Sequence, residues 1–275
     1  MKLQFNNGIN ALSRVEFKTL YHQNVPLKMS CQTTRVQSIL ANAECIKGWL
    51  KNPYMYLALI GLMLIILNQY TNIDLILADY YFDFQAHQFT WKNSWFAKEV
   101  MHIYVKNGIM LIGIFLIAFV FIDALFRFKL VTGWCRVRLR FVAVAAVIIP
   151  TIISVLKHMS ALHCPWDEQR YGGDAPYLRL FDAIPQNMQA GHCFPAGHAS
   201  TGLWLAAICV FWLPQHPRKA LMVFFAGLGV GFVLGWVQQM RGAHFLSHTL
   251  WSIWIASAIL LIMMTATKSV LVLKK

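Results

Sequence analysis

The chain has 275 residues, 58% of them hydrophobic, and a formal net charge of +13. A soluble domain is nearer about 45–50% apolar, and apolar runs approaching ~20 residues recur here without strand-like alternation, which excludes a soluble globule and a membrane β-barrel. The positive excess reads as the basic cytoplasmic loops of a multi-pass protein, not as nucleic-acid binding.

Residues 1–52 form a polar extension with seven Lys/Arg against Glu16 and Glu44. Val36, Ile39, Leu40, Ala43, Ile46, Trp49 and Leu50 recur at helical spacing, with Arg35, Lys47 and Lys51 off the stripe. That pattern suits an amphipathic helix lying on the membrane, and equally one packing in solution. No continuous apolar h-region occurs in the first 50 residues, so the first membrane helix is expected to direct insertion.

Six membrane helices are expected, at about 53–70, 108–127, 139–157, 198–213, 219–239 and 245–266. The fold class is therefore all-α, a six-helix bundle over 53–266, preceded by the extension 1–52 and followed by a basic tail, 267–275. Six spans put both termini on one side. That side holds 17 of the 24 basic residues, including Arg127, Lys129, Arg136, Arg138 and Arg140, and so is cytoplasmic. Loops 71–107 and 158–197 and the turn near 240–248 then face outward. Loop 71–107 holds Asp74, Asp79, Asp83, His87 and His102 among the aromatics Tyr80, Tyr81, Phe82, Phe84, Trp91 and Trp95, which suit short interfacial helices and an aromatic belt.

Three outward-facing stretches concentrate ionisable groups at helix ends, where they are costly unless used or solvated. They are Lys157 to Gly173, Gly191 to Ser200, and Gln238 to His248. In the second, small residues before His198 let backbone N–H groups approach an anion at a helix mouth.

Together these stretches resemble the type-2 phosphatidic-acid phosphatase family of membrane lipid phosphatases. Its motifs are Lys-x6-Arg-Pro, Pro-Ser-Gly-His and Ser-Arg-x5-His-x3-Asp. Here they read Lys157-x6-Cys164-Pro165, Pro195-Ala196-Gly197-His198 and Arg241-x2-His244-x3-His248, in family order. Cys164 replaces the family's Arg, Ala196 its Ser and His248 its Asp, while Gln238 stands at the third motif's Arg position. Arg241, three residues on, is a neighbour on a helix and reaches toward the same place. Arg170 is a candidate for the guanidinium missing at Cys164, or else pairs with Asp167 or Glu168.

The resemblance implies a phosphatase of the bacterial inner membrane, acting on a lipid phosphate in the bilayer at the periplasmic face. Undecaprenyl pyrophosphate, lipid A and phosphatidylglycerophosphate are types of substrate it suggests. It implies His244 as nucleophile forming a phosphohistidine, His198 as general acid and base, and His248 orienting His244. Lys157, Arg241, Arg170, Gly197 and Ala196 bind phosphate, and no metal or cofactor is called for. Lipid-to-lipid phosphotransfer, a non-catalytic lipid-phosphate binder or transporter, and a metal site on His198, His244 and His248 remain alternatives.

Six cysteines occur. Cys31, Cys45, Cys135 and Cys209 are expected reduced. Cys164 and Cys193 share the outer loop, where an oxidising compartment permits a disulfide.

Overall fold

The computed structural model describes residues 52–267. The expected surface helix in the extension, Cys31, Cys45 and the tail from Lys268 lie outside the described residues. Helix α1 (Pro53–Tyr70) starts at a proline, and the Asn52 side chain accepts the Tyr54 N–H. The short helix α2 (Ile73–Tyr81) follows, then a two-stranded hairpin, β1 (Phe82–Asp83) and β2 (Gln88–Phe89), with Phe82 opposite Phe89. Five more long helices follow, α3 (Phe96–Phe126), α4 (Gly133–His158), α5 (Gly197–Trp212), α6 (Pro217–Met240) and α7 (Leu246–Ala266), with two short 3-10 turns, Pro165–Asp167 and Gln169–Tyr171, in the loop between α4 and α5.

Helices α1, α3, α4, α6 and α7 are long and apolar enough to cross a membrane, and α5 is apolar but shorter. The chain is thus an all-α polytopic membrane protein, with an apolar helix at each of the six expected places. Side chains on the outside of the bundle agree: Phe115 and Met222 are each 71% exposed, which water would penalise and lipid tails would not.

The short α5 gains reach from its winding. It is α-helical over Gly197–Leu203 and then 3-10 helical over Trp204–Trp212, a form that rises about 2.0 Å per residue against about 1.5 Å. Its last carbonyls do not need water. Arg138 donates to Val210 O at 2.9 Å and Leu213 O at 2.8 Å while lying over the Trp134 ring. Arg138 reads as a loop charge in the sequence; it is a fully buried cap inside the bundle. The core runs along α4, α5 and α7 through Ile149, Ile153, Leu203, Val210 and Leu260. Helix α6 packs closely on α5, since a Cβ at Gly227 would run into the backbone of Ala206.

Helix α3 begins well before the expected residue 108. Its first ten residues, Phe96–Val105, are wound as a π-helix. Lys98, Glu99, His102 and Lys106 interrupt the hydropathy there, so an apolar run alone starts too late.

Helix alternation puts the C-termini of α4 and α6 and the N-termini of α5 and α7 at one end. Over that end lies a second layer, built from α2, the hairpin and the loop 159–196. Asp74 of α2 accepts the Ser247 N–H at 2.9 Å and so caps α7 from outside its own chain segment. Phe82, Phe89, Tyr171 and Phe245 pack as one aromatic cluster with Ala78. Phe82 is therefore core, whereas Tyr80 and Trp95 are exposed as a membrane belt requires. Arg179 donates to Gln69 O at 2.8 Å and Asn72 Oδ1 at 2.7 Å, tying the long loop to α1.

Candidate active site

Each motif ends at the same end of the bundle. Lys157 is next to last on α4, and its ammonium lies 3.9 Å from the place a Cβ would occupy on Gly197. Gly197 is the first residue of α5, and His198 follows it. The turn leading in has a cis Phe194–Pro195 bond and docks on α7. There the Ala196 N–H donates to His248 O at 3.1 Å, and the Ser252 hydroxyl lies 3.0 Å from both Ala196 O and His248 O. Two fully or nearly buried residues of α7 thereby fix where α5 starts.

His244 lies between α6 and α7. Its ring is 5.9 Å from that of His198 and 5.8 Å from that of His248, measured between centroids. Only 1% of His244 is exposed. Burial, reinforced by the neighbouring charges of His248, His198 and Lys157, holds its imidazole well below its usual range, so the ring is neutral. Its Nδ1 is 3.4 Å from Cys193 Sγ, and the Cys193 backbone carbonyl attracts ring N–H groups of both His244 and His248. The direct partner of each of these two rings is therefore the carbonyl between them, and they meet each other edge to face.

Arg241 caps the C-terminus of α6 and donates from Nη1 to Gln238 Oε1 at 2.9 Å and from Nε to Lys92 O at 3.3 Å. Its charge acts on His198. The next residue, Gly242, has φ +78°, and a Cβ there would run into the Phe89 ring. That left-handed glycine ends α6 and turns the chain into His244.

Cys164 and Cys193 form a disulfide with 5.3 Å between Cα atoms, joining the residue after the lysine helix's exit loop to the turn before His198. Cys135 and Cys209 are free thiols. Among the described residues one set of His, Cys and acidic groups clusters closely enough to ligate a metal, and it is Cys164, Cys193 and His244. Both sulfurs are spent in the disulfide, so neither offers a thiolate. His198, His244 and His248 do not form such a set.

Arg170 has another task than the one its spacing suggests. Its guanidinium binds Asp79 with Nε at 2.8 Å and Nη2 at 2.6 Å, and the Tyr171 hydroxyl adds a bond to the same carboxylate. The sequence reading offered Asp167 or Glu168 as its ion-pair partner; α2 supplies it instead. The Arg170 bonds hold the Asp79 carboxyl below its usual range. Two residues were missed by sequence. His102 of α3 packs on His198 with ring centroids 4.5 Å apart, and Gln238 holds Arg241. The signal for His102 was its spacing of four from Lys106, visible once the helix is extended backward.

The PAP2 superfamily model matches residues 137–270, which include all three motifs. Over that stretch the chain is similar to the PAP2 superfamily. No curated protein and no solved structure matches the chain. The PAP2 stretch begins within α4 and runs past the end of α7, so α1, α2, the hairpin and α3 lie before it. Phosphatase chemistry is the general reaction type of this superfamily. The cleft between α4 and α7 adds an apolar element beside the motifs. It is a hollow of about 450 Å³ lined by Leu156, Met159, Phe194, Trp251 and Ile255 among others. A larger hollow, about 700 Å³, lies in the loop around His163 and Gly191 and touches none of Lys157, His198, Arg241 or His244.

Proposed function

We propose that this protein is an inner-membrane lipid phosphatase working through a phosphohistidine. The observation that carries the reading is the 5.9 Å pairing of the His198 and His244 rings, with Lys157 beside Gly197 and the charges of Lys157 and Arg241 both acting on His198. Lys157, Arg241 and the backbone amide at Gly197 neutralise the phosphoryl oxygens, which otherwise repel a nucleophile, while the Ala196 N–H, expected from the motif to bind phosphate, is instead spent on His248 O. His244 presents Nε2, because Nδ1 is turned to Cys193. The neutral ring attacks phosphorus, an N–P bond forms and the P–O bond to the lipid breaks. His198 gives its proton to the leaving oxygen, then takes one from the water that cleaves the N–P bond and releases phosphate. His248 and the Cys193 carbonyl keep the His244 ring in plane.

The apolar cleft beside Phe194 and Trp251 suits a lipid tail lying in the bilayer while its phosphate reaches the histidines. Basic-residue bias supports cytoplasmic termini and a periplasmic site, and the Cys164–Cys193 disulfide suits an oxidising compartment at that end.

The test is phosphate release by purified protein from a panel of lipid phosphates, with His244→Ala as control. Vanadate is expected to inhibit and a chelator to leave activity intact. Release that survives His244→Ala, or that disappears with chelator, defeats the mechanism. Lipid-product analysis in the same reactions separates hydrolysis from transfer to a second lipid.

A further inference from the structure

His102 belongs to α3, outside the PAP2 stretch, and the three motifs give it no role. Yet its ring lies nearer to His198 than His244 does, 4.5 Å against 5.9 Å between centroids. His198 is therefore the common neighbour of His244 and His102. The Nδ1 atoms of His102 and His198 are both buried without a hydrogen-bond partner among the described residues. Lys106, one turn further along α3, acts electrostatically on both rings, and Gln238 links His102 to Arg241. Among the described residues neither Lys106, Lys157 nor Arg241 has a carboxylate at ion-pair distance. Glu99 is the one acid whose charge reaches this group, through His102 and Arg241. Three cations facing one acid at the ends of membrane helices call for anionic ligand charge.

The order of the rings says where that charge belongs. A general acid sits beside the leaving oxygen, so groups gathered around it, as His102 is, are close to the leaving group. For the monophosphate of a long-chain alcohol the leaving group beyond that oxygen is a hydrocarbon, and an imidazole with an ammonium would be wasted on it. For a diphosphate ester it is a second phosphate.

We propose that His102 and Lys106 form a second anion subsite, which holds the inner phosphate of a lipid diphosphate while His244 attacks the outer one. This rests on the phosphatase reading above. The N–P bond forms at the outer phosphorus, its bond to the bridging oxygen breaks, and the bridging oxygen leaves on the lipid monophosphate with the proton of His198. Water then releases inorganic phosphate from His244.

The experiment compares dodecyl diphosphate with dodecyl monophosphate as substrates for the full-length protein and for His102→Asn and Lys106→Met. The subsite predicts that each variant loses about tenfold or more in kcat/KM on the diphosphate, the worth of a charge-assisted hydrogen bond, and stays within about twofold on the monophosphate. The retained monophosphate activity shows that the variants fold. Equal losses on both substrates, no loss on either, or a wild-type protein that cleaves only the monophosphate overturns the subsite and leaves the phosphatase reading standing. A wild-type protein that releases phosphate from neither overturns both.

Discussion

Arg241 Nη1 lies 2.9 Å from Gln238 Oε1, so the guanidinium of residue 241 occupies space next to the side chain that stands at the family's usual arginine position. The two are one helical turn apart at the end of α6. Exchanging their roles is therefore expected to be partly tolerated. Arg241→Gln alone should lower phosphate release by about 100-fold, the usual scale for removing a charge-stabilising donor. Adding Gln238→Arg should restore at least about tenfold of that loss. A double variant no better than Arg241→Gln would show that Arg241 acts from a place that position 238 does not reach.

The apolar runs made the bundle legible, because burial in lipid demands uninterrupted helices. They misplaced the start of α3, where Lys98, Glu99 and His102 face the polar end of the bundle and so dilute the signal. Spacing brought Lys157, His198, Arg241 and His244 to one end, since helix ends alternate sides. It was silent on partners supplied from far along the chain. Asp79 takes Arg170, and the Cys193 carbonyl takes His244 and His248, across separations no local pattern encodes.

Glu168 should make stability depend on pH. It is 2% exposed, and Oε2 has no partner among the described residues. Burial, with the charges of Asp74 and Asp167 adding, pushes its pKa from the usual 4.5 up to about 9. Between those values the folded protein holds a proton that the unfolded chain lacks, so stability falls as pH rises from 4.5 to about 9. Glu168→Gln keeps the neutral shape and removes the titration. Its melting temperature in detergent should exceed that of the wild type by a margin that grows from pH 5 to pH 8 (about three pH steps inside the window). Parallel melting curves would mean that Glu168 is ionised in the folded state.

Reducing the Cys164–Cys193 bond should loosen the site more than the bundle. The bridge closes a loop of sequence separation 29, for which chain entropy gives about 3–4 kcal/mol. Cys164→Ser with Cys193→Ser is expected to lower the melting temperature and to cut phosphate release. The Cys193 segment both faces His244 and leads to Pro195, so the activity loss should appear at temperatures where the helices remain folded by circular dichroism. Coincident loss of activity and helicity would assign the bridge to global stability alone.

Gly242 is the position where one methyl group should cost most. Its φ of +78° disfavours any side chain, and a Cβ would meet the Phe89 ring. Left-handed strain of about 1–2 kcal/mol and overpacking of about 1–3 kcal/mol act together in Gly242→Ala. The aromatic cluster of Phe82, Phe89, Tyr171 and Phe245 must then shift, and Phe245 adjoins His244. The variant should melt lower and release phosphate more slowly. Adding Phe89→Leu opens space for the methyl group but leaves the backbone strain, so it should recover part of the melting temperature. If Phe89→Leu recovers nothing, the cost of Gly242→Ala lies wholly in the turn.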